Sequence, residues 1–160
     1  MASALILDLD RFDSGRLLYD RSAIYARLPQ KHEFEQLDGI VHLDGAKGEA
    51  VAFRDVRDDE WWCRGHVPGT PVLPGVLMLE GGAQLAAFVE KYRHTEFNDF
   101  LGYGGVDNCK FRRVVRPPAR LWLISSRRKV SSRRIITYVQ GAVDGGLVFE
   151  ATITGLVVPL

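Results

Sequence analysis

The sequence predicts a single α+β domain in which an antiparallel sheet of about six strands surrounds one long helix. A chain of 160 residues fits one domain of ordinary size. One segment, from Gly75 to about Tyr92, is apolar nearly all round, as a buried helix is. The segments on either side carry branched apolar residues between turn residues, as strands do. One buried helix among many strands indicates a sheet that wraps the helix.

The long helix has a sharp beginning. The preceding segment, residues 64–74, holds three prolines and two glycines, so it is expected to be a rigid, non-helical loop. Its last residue, Pro74, suits the first turn of a helix because its φ is already helical. A short second helix is expected from Arg21 to about Arg27, with Asp20 as its N-terminal cap.

Strands are predicted before and after the long helix. Residues 36–44 and 48–56 flank a Gly-Ala-Lys-Gly turn and predict a β-hairpin. Downstream, the expected strands are 100–106, 111–115, 121–130, 134–143 and 147–158. Residues 1–19 show weak periodicity and are expected to form an N-terminal arm, which leaves residues 20–160 as the domain.

The composition argues against several classes of protein. Hydrophobic residues make up 46% and charged residues 26%, an ordinary balance for a soluble protein. Cys63 and Cys109 are too few for a disulfide scaffold and lack metal-ligand spacing with the four histidines, so neither a metal nor another cofactor is expected. The N-terminus has no basic region and no run of ~18 apolar residues is present, so a cytoplasmic location is expected.

Charge is unevenly distributed, although the formal net charge is only +1. Residues 1–60 hold 13 acidic and 8 basic side chains, whereas residues 61–160 hold 7 acidic and 13 basic ones. Ten of those 13 lie between Lys110 and Arg134, where there is no acid. The asymmetry indicates an anionic partner. Few aromatic residues interleave with these cations, so nucleic acid is a weak candidate, and a solvated strand face is the simple alternative for most of them.

Two polar side chains interrupt the apolar helix. Between Val76 and Val89 only Glu80 and Gln84 are strongly polar, and at a separation of four residues they share one face of the helix. A carboxylate on a buried helix is costly unless it is paired or protonated. Glu80 is therefore either part of a structural hydrogen-bond network or a catalytic group.

His66 lies in the proline-rich loop before the helix. A histidine in a loop is by itself more often structural than catalytic, but this loop would hold the imidazole in one place. The helix start at Gly75 offers free backbone N–H groups and a positive dipole end, which can bind the oxygen of a thioester carbonyl. A base, an acid and an oxyanion site within 15 residues are the equipment for removing a proton α to a carbonyl.

The segment from Trp61 to Gln84, WWCRGHVPGTPVLPGVLMLEGGAQ, resembles the signature of the FabZ/FabA (3R)-hydroxyacyl-[acyl carrier protein] dehydratases. In that family an aromatic pair precedes Gly-His-Phe-Pro, Pro-Val-x-Pro-Gly-Val-Leu and Glu-Ala-x-Ala-Gln. The spacing of 14 from His66 to Glu80 matches the FabZ branch, since FabA-type enzymes have aspartate at the second position. Further matching segments lie at 28–34, 56–60, 101–102, 110–117 and 143–151.

The resemblance implies a hot-dog fold and the dehydration of 3-hydroxyacyl-[acyl carrier protein] to trans-2-enoyl thioesters, in fatty-acid or related lipid or polyketide synthesis. It implies that His66 and Glu80 are the catalytic pair. The supporting groups would be the N–H of Gly75 on the thioester oxygen, the carbonyl of Val72 on the imidazole, and Gln84, bonded to Glu80 or to the substrate.

The resemblance also implies partners. Arg112, Arg113 and Arg116 would help to bind the acidic acyl carrier protein, which delivers the acyl chain on a phosphopantetheine arm. Such proteins form homodimers, and the dimers often assemble into trimers of dimers. In the FabZ branch each site takes His66 from one chain and Glu80 from the other, and the acyl chain lies in an apolar tunnel.

The sequence departs from the family's pattern near the site. Val67 replaces the usual phenylalanine, and Gln30 stands where a histidine is common. Gly81 and Gly82 replace larger residues and are expected either to widen the tunnel or to let another backbone approach closely. Three aromatic residues after the helix are expected either to gate the tunnel or to pack in the core: Phe97, Phe100 and Tyr103.

Two other functions stay open at this point. One is a hot-dog thioesterase, in which a carboxylate on the same helix activates water, although the Gly-His-x-Pro element would then be unexplained. The other is a non-catalytic acyl-binding protein that kept the fold, which Val67 and the Gly81-Gly82 pair favour.

Overall fold

The computed structural model describes residues 4–13, 15–94 and 100–159. It contains seven strands, which are β1 Tyr19–Asp20, β2 Gly39–Asp44, β3 Glu49–Val56, β4 Phe100–Phe111, β5 Ala119–Val130, β6 Arg134–Val143 and β7 Gly146–Val158. They form one antiparallel sheet in the order β1-β2-β3-β5-β6-β7-β4. The strand β4 therefore lies at one end of the sheet.

Within the described ranges two α-helices accompany the sheet, α1 Arg21–Tyr25 and α2 Gly75–Arg93. Short 3-10 turns occur at Leu9–Arg11 and His32–Phe34. The side chain of Asp20 accepts a hydrogen bond of 2.8 Å from the N–H of Ala23, so it caps α1 as predicted. Among the described residues, no helix is both long and apolar enough to span a bilayer.

Helix α2 packs on one face of the sheet. Leu85 and Phe88 of the helix are fully buried in one apolar cluster with Leu121 and Leu123 of β5 and Val139 of β6. Removing these large side chains from water supplies most of the stability of such a layer. The predicted α+β architecture, one long helix held by an antiparallel sheet, is confirmed.

Gly81 and Gly82 lie where the helix approaches the sheet closely. A Cβ on Gly81 would come within 2.8 Å of Cδ1 of Leu123, and one on Gly82 within 3.1 Å of Cγ2 of Val139. The glycine pair thus lets side chains of β5 and β6 reach the helix backbone. Both glycines are buried in this contact, so they set the spacing between helix and sheet.

One strand prediction was wrong. Separate strands were expected at 100–106 and 111–115, but β4 runs without a break from Phe100 to Phe111 along β7. Irregular pairing between Tyr103 and Gly105, and again between Asp107 and Lys110, accommodates the extra residues. These bulges disrupt the alternation of apolar and polar residues, which is why the pattern indicated two short strands.

The N-terminal arm packs on the outer face of the sheet, opposite α2. On this face Val41, Val51, Phe53 and Ile124 form a second apolar cluster. The arm residues that cover it are Leu5, Ile6, Leu7, Leu9 and Phe12. The side chain of Gln140 ties the arm down, because it accepts from the N–H of Ile6 at 2.9 Å and donates to the carbonyl of Ala4 at 3.1 Å. The arm therefore shields apolar surface on this face.

Candidate active site

A buried tryptophan anchors the loop that carries His66. Trp62 is only 1% exposed, and its carbonyl accepts hydrogen bonds from the N–H groups of Gly65 (3.2 Å) and His66 (2.9 Å). Its indole N–H donates to Glu60 at 3.0 Å, and Glu60 also pairs with the buried Arg54. These bonds leave the loop backbone little freedom at the histidine.

The imidazole of His66 is oriented by a backbone carbonyl. Its Nδ1 lies 2.8 Å from the carbonyl oxygen of Val72. Because a carbonyl oxygen only accepts, Nδ1 carries a proton in this contact, and in the neutral ring the lone pair is then on Nε2. The ring is exposed to solvent in the single chain. His66 is thus held in the tautomer that can remove a proton through Nε2.

The first turn of α2 lies beside this histidine. The helix ladder begins with bonds from the N–H groups of Leu77 (3.0 Å) and Met78 (3.4 Å) to the carbonyl of Pro74. The N–H groups of Gly75 and Val76 precede that ladder and point out of the positive end of the helix. His66 and Gly75 line the same cavity, of about 420 Å³. A carbonyl placed in it can meet both a base and a hydrogen-bond donor.

Phe111, the last residue of β4, forms another wall of the His66 cavity. A Cβ on Gly75 would come within 2.9 Å of Cε1 of Phe111, so a residue without a side chain lets the ring lie directly over the helix start. Phe111 in turn contacts Phe149, with ring centroids 6.3 Å apart. The aromatic wall shelters the helix start on that side.

Glu80 is half-buried on α2, and Gln84 holds its carboxylate. The Nε2 of Gln84 donates to Oε1 of Glu80 at 2.8 Å and to the carbonyl of Phe34 at 2.7 Å. The Oε1 of Gln84 accepts from the hydroxyl of Tyr25 at 2.6 Å and from the N–H of Gln36 at 3.1 Å. All four hydrogen-bonding positions of the amide are filled, so Gln84 positions Glu80 and has no bond left for a substrate.

Tyr25 is a site residue that the sequence did not reveal. It is 4% exposed, and its hydroxyl accepts from the N–H of Leu37 at 2.8 Å while it donates to Gln84. Burial raises the pKa of Tyr25, so the hydroxyl stays protonated and keeps both bonds. The contact joins residues 59 positions apart, and no local pattern in the sequence indicates it.

Glu80 lines a second, larger cavity of about 530 Å³ between α2, the loop at 29–34 and strands β4, β6 and β7. Phe100 and Tyr103, two of the three aromatic residues expected either to gate the tunnel or to pack in the core, border this cavity, whereas Phe97 lies outside the described residues. The hydroxyl of Tyr103 donates to the carbonyl of Leu79 at 3.3 Å. Burial and the nearby carboxylate of Glu80 raise the pKa of Tyr103, which keeps that hydroxyl neutral.

The two predicted catalytic residues do not share a cavity within one chain. The residues that line the His66 cavity and those that line the Glu80 cavity form two separate sets. His66 and Glu80, the predicted catalytic pair, therefore each line a cavity, and a single chain does not bring them together.

Two of the three predicted partner-binding arginines line the His66 cavity. Arg112 pairs with the carboxylate of Glu150, to which its Nε donates at 3.1 Å. Arg113 donates to the carbonyls of Val143 (2.9 Å) and Gly146 (3.3 Å). Arg116, three positions after Arg113, is exposed.

The described residues contain no group of three or more potential ligands that could hold a metal ion.

A long helix cradled by an antiparallel sheet, with a histidine loop at the helix start, defines a hot-dog protein with an acyl-thioester type of site. The chain belongs to the FabA-like domain family, whose model matches residues 28–152. It is 36% identical over 128 residues to the 3-hydroxyacyl-[acyl-carrier-protein] dehydratase FabZ of Desulfotalea psychrophila, covering 78% of this chain and 83% of that protein. It is 32% identical to the FabZ of Caldicellulosiruptor saccharolyticus, covering 82% and 98%.

Solved structures support the fold alone. The dehydratase heterocomplex ApeI:P from Xenorhabdus doucetiae superposes with a TM-score of 0.70 at 11% identity, over 84% of this chain and 90% of that one. The TT0310 protein from Thermus thermophilus superposes with a TM-score of 0.59 at 20% identity, over 79% and 98%. The predicted hot-dog fold is therefore confirmed.

Proposed function

We propose that this protein dehydrates 3-hydroxyacyl thioesters carried by acyl carrier protein to trans-2-enoyl thioesters, in fatty-acid or related lipid or polyketide synthesis. The observation that carries the proposal is that one half of the site presents a base and the other half presents a carboxyl group. His66 presents a free Nε2 beside the open start of α2, and Glu80 presents a carboxylate held by Gln84. Membership of the FabA-like family supports the same chemistry.

In the proposed mechanism His66 and Glu80 each transfer one proton. The Nε2 of His66 takes the α-proton while the N–H of Gly75 stabilises the negative charge that develops on the thioester oxygen. Glu80 gives a proton to the β-hydroxyl, which leaves as water as the α,β double bond forms. Its Oε1 accepts from Gln84, so Oε2 is the oxygen that carries the transferred proton. Proton exchange with water then restores both groups.

The site is completed by a second copy of the chain. Strand β4 is a 12-residue end strand with exposed Tyr103, Val106 and Phe111, a template for pairing with another strand. Its first half borders the Glu80 cavity and its last residue borders the His66 cavity. In an antiparallel pair of two β4 strands, the first half of one lies beside the last half of the other. Such a homodimer would place the His66 of one chain beside the Glu80 of its partner.

The acyl carrier protein docks at the His66 end of the site. Arg112 and Arg113 border that cavity, and the segment 110–134 holds ten basic residues and no acid. Acyl carrier protein is acidic, so complementary charge would raise the rate of encounter. We also propose that the dimers assemble into trimers of dimers, as the family resemblance implies, and sedimentation would test this assembly.

The test is conversion of 3-hydroxybutyryl-[acyl carrier protein] to the enoyl thioester by the purified protein, followed by absorbance of the conjugated product. Dehydration by the wild type and its loss in His66→Ala and Glu80→Ala, with the dimer intact, would support the proposal. Release of free acid without enoyl product would instead indicate a thioesterase. Carrier binding without either reaction would indicate a non-catalytic acyl-binding protein.

A further inference from the structure

The face of α2 that carries Glu80 continues along the cavity for almost three turns and ends at a second carboxylate, Glu90. Between them the helix presents three small residues, Ala83, Ala86 and Ala87, to the cavity. Ten residues of helix rise ~15 Å. Gln84 also lines the cavity next to Glu80; beyond it the helix face is smooth as far as Glu90.

The far end of the cavity is charged. Glu90 is 3% exposed, and its Oε1 accepts from Nη1 of Arg127 at 3.1 Å while its Oε2 accepts from Nη1 of Arg93 at 3.2 Å. Arg127 is nearly buried and also donates to the carbonyl of Ala46 at 2.9 Å. Thr137, which is paired with Arg127 across β5 and β6, is buried and lines the same cavity.

The remaining walls of this cavity are largely apolar. They include Phe100 and Leu101 of β4, Ile135 of β6 and Ile153 of β7. An alkyl chain would match these walls and the alanine face of α2, because apolar surface is removed from water on both sides. The end of an alkyl chain would not match the Glu90–Arg127 pair, because it cannot form a hydrogen bond in place of those between the two side chains.

We infer that the Glu90–Arg127 ion pair is the end wall of the acyl site and limits the length of the chain that the enzyme accepts. The inference rests on the proposed function. A chain in extended form advances ~1.2 Å per bond, since three backbone bonds span ~3.3–3.6 Å. The helix rise from Glu80 to Glu90 is ~15 Å, and a contact distance of ~3.5 Å at each end leaves ~8 Å for the acyl chain. That length holds about seven bonds beyond the β-carbon. The preferred limit is therefore near ten carbons.

Two changes move the wall in opposite directions. Ala87→Leu places a larger side chain about two thirds of the way from Glu80 to Glu90, so the limit should fall by a few carbons. The double variant E90A/R127L removes both partners, which avoids an unpaired buried charge, and opens the end. Arg93 is left with access to solvent, since its side chain is 28% exposed. Lys91→Leu adds the same side chain to α2 outside the cavity lining and serves as the matched control.

The experiment measures kcat/KM for 3-hydroxyacyl-[acyl carrier protein] substrates from four to sixteen carbons. For the wild type and Lys91→Leu we expect a decline beyond about ten carbons. Ala87→Leu should lower the ratio of the ten-carbon to the four-carbon value at least about ten-fold. E90A/R127L should raise the ratio of the fourteen-carbon to the ten-carbon value by a similar factor. An unchanged ratio in both variants, or a wild type without a limit, would overturn the inference.

Failure of the proposed function gives a different result. If no substrate of any length is dehydrated, including the four-carbon one, the dehydratase proposal fails. The chain-length limit is then tested by binding. Calorimetry of saturated acyl-[acyl carrier protein] of the same lengths then replaces turnover. Affinity that stops rising near ten carbons in the wild type, and continues to rise in E90A/R127L, would support the wall. A continuous rise in the wild type would overturn it.

Discussion

The Nε2 of Gln84 donates a hydrogen bond of 2.8 Å to Oε1 of Glu80, one turn earlier on α2. The other three bonds of the amide are to Tyr25, Gln36 and Phe34, groups outside the helix. The carboxylate of Glu80 is thereby fixed relative to the segment that precedes β2. We therefore expect that removing the Gln84 amide lowers the rate of catalysis, although the amide makes no contact with the substrate.

We expect Gln84→Leu to lower kcat about 10- to 100-fold with a small change in KM, because partners that orient a catalytic group act through its geometry. Tyr25→Phe keeps the Gln84–Glu80 bond and removes only the outer support, so its loss of kcat should be smaller. Steady-state kinetics on both variants, with circular dichroism to confirm folding, make the comparison. A larger effect on KM than on kcat in Gln84→Leu would place Gln84 against the substrate instead.

A mixture of two inactive variants should recover activity. If each site takes its histidine and its glutamate from different chains, a heterodimer of His66→Ala and Glu80→Ala contains one intact site. Random exchange should then restore about one quarter of wild-type activity, because half of the dimers are mixed and half of their sites are intact. The measurement is activity after co-expression from one plasmid. Activity no higher than that of either variant alone would show that each site is built within one chain.

Charge removal near the histidine should weaken carrier binding and little else. We expect Arg113→Ala and Arg116→Ala to raise KM for acyl-[acyl carrier protein] and to reduce its dependence on salt, since steering between opposite charges is screened by ions. KM for a short thioester without a carrier protein should change little. Lys129→Ala, an exposed cation on the β5–β6 hairpin, is the control. Equal effects of Lys129→Ala would show that net charge matters and position does not.

Stability should fall at alkaline pH, and Tyr25 should contribute to the fall. The pKa of Tyr25 lies above its ordinary value of 10.0 because the residue is buried, so the folded chain keeps a proton that the unfolded chain loses. Its stabilising contribution is complete below pH 10.0 and decreases as the pH rises above that value. In Tyr25→Phe the slope of unfolding free energy should be shallower by up to ~1.4 kcal/mol per pH unit. Urea titrations between pH 9 and 11 measure both slopes, and identical slopes would contradict the assignment.

The parts that could be predicted from the sequence are those written in neighbouring residues. His66, Gly75, Glu80 and Gln84 lie within 19 positions, so loop composition and helical spacing predicted them as candidate site residues, whereas Val72 was implied by the family resemblance. The long helix was visible for the same reason, because its apolar run is continuous. The contacts that hold Gln84 come from residues 48 to 59 positions away and depend on the finished fold.

Two further features could not be read from local pattern. The bulges of β4 break the period of two that identifies a strand, so one long strand resembled two short ones. The role of Gly81 and Gly82 depends on Leu123 and Val139, which approach from strands that come later in the chain. In both cases the deciding partner lies on another strand.

His66 and Glu80 line different cavities, so if a second chain completes the site as proposed, activity depends on protein concentration. A site that needs two chains disappears by mass action when the chains part, even if each remains folded. Specific activity should therefore decline when the enzyme is diluted below the dissociation constant of its dimer. Any agent that binds the exposed edge of β4 would then act as an inhibitor without entering either cavity.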